Sequence, residues 1–169
     1  MPVRVQVEDF DLTREVANLR AAQGARAAQV GGIATFVGTV RDVNDGSGVS
    51  SLTLEHYPGM TEKALEDIVA QAKGRWDIFD ALVIHRVGTL HPQDQIVLVV
   101  TLGAHRGEAF AACEFIMDYL KTQAPFWKKE VTPQGERWVE ARGSDDDAAA
   151  RWQGENNTSR QRPAGATDA

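Results

Sequence analysis

A chain of 169 residues, 43% apolar and 25% charged, has the length of one domain and enough apolar material for a real core, which excludes fibrous and wholly disordered classes. Its formal net charge of −6 argues against a nucleic-acid binder, because phosphate contacts require a basic face, and leaves room only for a local basic pocket. The single Cys113 excludes an internal disulfide and fits a reducing compartment, and no apolar run approaches the ~20 residues that a membrane span requires.

Met1 to Arg20 has neither the basic start nor the apolar centre of a signal peptide, so a cytoplasmic location is expected. Val3, Val5 and Val7 alternate with polar neighbours as a strand does, and Leu12, Val16 and Leu19 then recur at helical spacing. Gly31 to Val40 is rich in glycine and β-branched residues, and after the loop "RDVNDGSG" the run "VSSLTLEHY" alternates again, so the two are expected to pair as a long-looped hairpin. Thr61 is positioned to cap a helix reaching Lys73, with Leu65, Ile68, Val69 and Ala72 on one face.

Strands are predicted at 80–88 and 94–104, joined by a turn at His91-Pro92. The second is apolar on both faces, which places it centrally in a sheet. Gly107 to Gln123 is the clearest helix, with Phe110, Cys113, Met117 and Leu120 at offsets of three and four, and it stops before Pro125. Short strands around Trp127 to Val131 and Arg137 to Ala141 flank the turn sequence "TPQGE". From Gly143 the apolar pattern dissolves, so one domain over residues 1–142 with a polar tail over 143–169, partly helical and then flexible, is expected. Strands and helices mix without regular βαβ alternation, which is an α+β pattern.

Chemistry concentrates at three places. His105 and Arg106 stand where a strand gives way to a helix, so a guanidinium, an imidazole and free helix N–H groups meet on a spot suited to a phosphate or carboxylate; the plainer reading is a surface arginine and a capping histidine. Lys121 lies at the far end of that helix, ~22 Å along the axis, so one helix cannot bring both to one substrate atom: either the pocket is long or a second protomer contributes one end, and by spacing alone Lys121 reads first as a solvated lysine near a helix C-terminus. Lys128 and Lys129 follow the helix break "APFW"; on a strand they point to opposite faces, so one lies in a pocket and the other does not. A lysine beside other cations and partly desolvated loses proton affinity and becomes available for acid-base or nucleophilic work, with Glu130 able to oppose that shift or orient the amine.

Arg41 ends the strand "FVGTVR", where Gly38 lets a ligand or backbone come close. His56 and His85 lack metal-ligand spacing and read as satisfied core or edge histidines, so no metal site and no cofactor are expected. Cys113 reads as a small buried hydrophobe; a persulfide-carrying role for it is the rival, with a non-catalytic module binding a phosphorylated ligand or a protein tail as a third possibility.

In order along the chain, "TFVGTVRD", "LTLEHYPGMTEKAL", "VIHRVGTL", "AHRGEAF", "FIMDYLKTQAPFWKKE" and "RWVEAR" resemble the large, catalytic subunit of molybdopterin synthase, from about Gly31 to Arg142. The resemblance implies an α/β hammerhead-type fold with a small antiparallel β subdomain. It implies sulfur transfer to cyclic pyranopterin monophosphate (precursor Z), giving the dithiolene of molybdopterin in molybdenum cofactor biosynthesis. The sulfur would come from the C-terminal Gly-Gly thiocarboxylate of a small ubiquitin-like partner, within a heterotetramer built on a homodimer of this subunit. Carried over by motif, Lys121 and Lys128 would be the catalytic pair. Thr39, Val40, Arg41, His105, Arg106, Lys129 and Glu130 would bind substrate, with Met117 and Arg142 completing the pocket across the dimer.

Overall fold

The structure is a computed structural model describing residues 2–44, 46–139 and 143–153. Arg142 and the end of the polar tail lie outside the described residues. Strands β1 (Val3–Gln6), β2 (Gly32–Thr39), β6 (Ile78–Arg86) and β8 (Gln95–Gly103) form a first sheet in the order β1-β6-β8-β2, with β1 parallel to β6 and the other pairs antiparallel. Strands β5 (Ser51–His56), β7 (Gly88–Leu90), β9 (Phe126–Thr132) and β10 (Gly135–Val139) form a second, wholly antiparallel sheet in the order β10-β9-β5-β7. A two-stranded hairpin, β3 (Val43–Asn44) with β4 (Ser47–Gly48), stands apart from both. The fold is α+β, and β8 is central, as its apolar faces require.

Alternation along β8 sends Val97 and Val99 to one face and Leu98, Val100 and Leu102 to the other. Helices α2 (Met60–Arg75) and α3 (Arg106–Gln123) cover the first face through Leu65, Ile68, Phe115 and Ile116. Helix α1 (Leu12–Ala21) covers the second through Leu12, Val16 and Leu19, with Phe10 beside it. Val40, Leu52, Leu54, Val87 and Leu90 form a third apolar cluster, joined by Phe126 and Ile96.

The expected hairpin does not form: β2 pairs with β8, and β5 pairs with β7 and β9. The segment between them is long enough to carry the chain from one sheet to the other, and β8 offers β2 a neighbour that is apolar on both faces from Ile96 to Val100, which β5 does not. A Cβ on Gly38 would stand 2.8 Å from Val97 Cγ1, so the residue is small to admit a side chain of the neighbouring strand. The turn between β6 and β8 is likewise an excursion: Gly88, at φ +88°, redirects the chain so that β7 adds to the second sheet before β8 returns to the first.

Three local details depart from the sequence expectation. Gly59 rather than Thr61 caps α2, with Glu62 Oε2 accepting from the Gly59 N–H at 2.6 Å, while Thr61 Oγ1 donates to the Pro125 carbonyl at 3.0 Å and ties α2 to the helix break. Phe110 is exposed, because the stripe that faces the core runs through Ala109, Ala112, Cys113, Ile116, Tyr119 and Leu120, whose small members admit a close approach to the sheet. The start of the polar tail is packed: α4 (Gly143–Arg151) leads to Trp152, which lies edge-on to Trp76 and Phe115 and donates through Nε1 to Asp118 at 2.7 Å.

Candidate active site

A cleft of about 280 Å³ opens where the last turn of α3, the inward face of β9 and the ends of β2 and β6 converge. Its floor is apolar, made by Val40, Leu52, Ile96, Leu120 and Phe126. Lys121 stands in the last turn of α3, where a cation is stabilised by the helix carbonyls, and Pro125 then prevents the helix from continuing. The chain turns directly into β9, and period-two alternation puts Phe126, Lys128 and Glu130 inward while Trp127 and Lys129 point out. Lys121 and Lys128, from a helix end and the strand after it, thus line one space, and Thr39, Val40 and Arg41 from the end of β2 line it too.

Of the residues singled out in the sequence, Thr39, Val40, Arg41, Lys121, Lys128 and Glu130 come together. Lys129 lies on the opposite face of β9, 3.6 Å from Glu136 Oε2 and over the Trp138 ring. Its divergence from Lys128 follows strand geometry, and it shares the outward face of β9 with the half-exposed Trp127. His105 and Arg106 begin α3 at the end remote from the cleft, with no side-chain cap from His105. Met117 is half-buried against the α2–α3 core.

His85, a satisfied core histidine by its sequence context, is indeed buried, but it also forms part of the cleft wall. Its ring stacks on Phe126 with centroids 3.8 Å apart, and Nδ1 lies 2.7 Å from the Arg86 carbonyl. A carbonyl can only accept, so Nδ1 carries the proton and Nε2 the lone pair. Burial first of all, with the charges of Lys128, Lys121 and His56 added and the Arg86 carbonyl opposing, lowers the imidazole pKa to about 3. His85 is therefore neutral throughout the physiological range and cannot act there as an acid. Its one sequence signal is parity: it shares a face of β6 with Val83, at the strand end that runs past the cover of α3. Asn44 and Asp145 also line the cleft, and neither carries a local signal, since both arrive through the folding of distant segments.

Glu130 is 5% exposed. Asn44 Nδ2 donates to its Oε1 at 2.6 Å, and Arg137 donates through Nε to Oε2 at 3.1 Å with Nη2 3.0 Å from the same oxygen. The other charged groups on the cleft walls are mainly cationic, Arg41, Lys121 and Lys128 over an apolar floor. Cations over an apolar floor suit an anion with an apolar or aromatic body and are able to stabilise an oxyanion beside them. Cys113 faces the core of α3, and burial, with Glu114 adding to it, raises the thiol to about 11, so it is no thiolate. Among the described residues no three His, Cys, Asp or Glu side chains are grouped to hold a metal.

Residues 5–123 match the sequence profile of the family described as MoaE protein. The chain belongs to that family. Among the most similar relatives is the molybdopterin synthase catalytic subunit of Ralstonia nicotianae, 67% identical over 150 residues that cover 89% of this chain and 83% of the relative. The solved molybdopterin biosynthesis MoaE protein from Burkholderia ambifaria superposes with a TM-score of 0.75 at 60% identity, covering 89% of this chain and 97% of that one. Molybdopterin synthase from Staphylococcus aureus, at 27% identity and a TM-score of 0.71, covers 80% of this chain and 95% of its own. MoaE proteins are catalytic subunits of molybdopterin synthase, so the chain is an enzyme of molybdenum cofactor biosynthesis.

Proposed function

We propose that the cleft transfers sulfur from the C-terminal thiocarboxylate of a small ubiquitin-like partner to cyclic pyranopterin monophosphate, building the dithiolene of molybdopterin. The observation that carries this is the meeting of Lys121, Lys128 and Arg41 in one apolar-floored space. A Gly-Gly tail is slender enough for a cleft of this size, and the pterin supplies the flat body and the phosphate that its walls select. The thiocarboxylate sulfur attacks the pterin carbon, forming a C–S bond, while Lys121 and Lys128 stabilise the negative charge that develops and deliver protons to the departing oxygen. Water then cleaves the acyl–sulfur bond, which leaves the new sulfur on the pterin and releases the partner as a carboxylate. Two partners are consumed for each product.

His105, Arg106, Lys129, Met117 and Arg142 enter this reading through assembly. A homodimer of the subunit inside a heterotetramer lets a second protomer supply His105 and Arg106, which their position at the remote end of α3 favours. The catalytic domain proposed over residues 1–142 is joined by the start of the 143–169 segment, since Asp145 lines the cleft and Trp152 packs into the core, and the location is the cytoplasm. None of the helices among the described residues is long and apolar enough to cross a membrane.

The test is conversion of precursor Z to molybdopterin by the purified chain with a thiocarboxylated partner. Wild type forms product, and Lys121→Ala and Lys128→Ala bind the partner but form little. No product from a wild-type complex that assembles overturns the reading.

A further inference from the structure

Glu130 poses a question for a cleft that selects anions: a buried carboxylate on its wall should repel the substrate. Its hydrogen bonds resolve this. Both oxygens are engaged, and the charge is met by Arg137, whose guanidinium reaches it from the neighbouring strand β10. Arg137 Nη2 also donates to the Asn44 backbone carbonyl at 3.0 Å, so one guanidinium holds the carboxylate and the β3–β4 hairpin at once. Asn44 closes the circuit, donating through Nδ2 to Glu130 and accepting through Oδ1 from Arg41 Nη2 at 3.5 Å.

The hairpin held in this way joins neither large sheet and has only two paired positions on each strand, too few to be stable alone. Its base begins two residues after Arg41, and the Val49 N–H donates to the Asp42 carbonyl at 2.7 Å, so the placement of the hairpin fixes the path of the chain that carries Arg41. A long, flexible cation at a cleft mouth loses rotamer freedom when it grips an anion, and holding it in place beforehand reduces that cost.

We propose that Asn44 and Arg137 are positioning residues that act through Glu130 to hold the β3–β4 hairpin, and with it Arg41, at the mouth of the cleft for the phosphate or carboxylate it receives. Glu130 is on this reading the anchor of the clamp and not a substrate ligand. The inference rests on the sulfur-transfer reading above and names residues that act on its substrate without touching it.

The experiment measures precursor Z turnover by the complex with thiocarboxylated partner, and precursor Z affinity by calorimetry on the complex with the unreactive carboxylate form of the partner. Asn44→Ala raises KM and Kd about tenfold, as expected when one charge-assisted hydrogen bond to the substrate is weakened, while kcat stays within about threefold. In an Arg41→Ala background the same substitution adds less than about twofold, because the group it positions is gone. Arg137→Ala leaves Glu130 uncompensated and is expected to lower the melting temperature as well; Arg137→Lys retains the charge without the forked geometry and gives an intermediate rise in KM with a near-normal melting temperature. Unchanged KM in Asn44→Ala, or an effect that adds in full to that of Arg41→Ala, overturns the clamp while leaving the sulfur-transfer reading intact. Absence of both binding and product in the wild-type complex overturns that reading and this one with it.

Discussion

The two sheets share an apolar interior and use their inward faces differently. The central strand of the first, β8, is buried from Val97 through Gly103, and its one inward polar group, Thr101, donates to the Ala109 carbonyl at 2.6 Å. The second sheet begins its inward face in the same manner, with Leu52, Leu54, Leu90 and Phe126, and then places Lys128 and Glu130 in line with them. Charge on the inside of a small sheet is costly unless it is paired or meets a ligand. On the proposed function, stability and chemistry are thereby separated, and α3 takes part in both: its middle turns complete the first-sheet core, and its last turn places Lys121 on the cleft wall.

This division is tested most severely by substitutions that should affect one side alone. Lys121→Ala or Lys128→Ala is expected to slow product formation by about 10²–10⁴-fold, the usual range for a positioned acid-base group, with melting temperature and partner affinity nearly unchanged. Single-turnover assays with preloaded partner provide the measurement, and a melting temperature that collapses together with the rate would erase the division. On the other side, Phe115→Ala removes a fully buried ring that packs on Trp76, Tyr119 and Trp152 and should cost about 3–5 kcal/mol in urea unfolding. The folded fraction should retain the wild-type KM.

The same division explains what the sequence makes legible. Strand β8 and helix α3 carry strong periodic signals because the first-sheet core demands them, whereas spacing alone reads Lys121, in the last turn of α3, as a solvated lysine, and only the family motifs single it out together with Lys128. The pairing of β2 with β8 cannot, because periodicity reports which face is buried and not which strand lies beside it. Phe110 misleads for a related reason: α3 has two overlapping apolar stripes, and only the approach of the sheet chooses between them. Trp152 is hidden in a polar stretch, since one aromatic ring that docks into a ready-made gap needs no periodic neighbours. Asn44 and Arg137 meet across 93 residues of chain, a relation that no local pattern encodes.

His85 sits on the boundary between the two regions and gives a smaller, pH-dependent effect. Its folded pKa of about 3 lies below the ordinary value of 6.5, so the unfolded chain binds a proton that the native state refuses. The stability this neutral burial contributes is complete above about pH 6.5 and is lost as pH falls towards 3. At about 1.4 kcal/mol per unit, the loss amounts to about 2 kcal/mol between about pH 6 and about pH 4.5. The carboxylates of Asp9 and Asp80, both lowered below 3.8, add their own losses mainly beneath that interval. Chemical denaturation across the interval should show the slope in wild type and a clearly shallower one in His85→Asn; equal slopes would mean that the imidazole is solvated in the native state.

The smallest effect concerns the other group that sequence chemistry might recruit. A sulfur-carrying cysteine must present a thiolate to its donor, which requires access and a nearby cation. Cys113 has neither: its side chain faces the α2–α3 core, and its neighbour Glu114 adds a negative charge that opposes ionisation. At a pKa of about 11, only about one thiol in 10⁴ is ionised at pH 7, before access is considered. Cys113→Ala should therefore leave the rate of molybdopterin formation within about twofold of wild type and lower stability by about 1 kcal/mol, because the core packs less well without the sulfur. Mass spectrometry of the wild-type chain after turnover should find Cys113 unmodified. A persulfide at that position, or a rate loss in Cys113→Ala comparable with that of the lysine variants, would move the chemistry into the first-sheet core and end the division of labour between the two sheets.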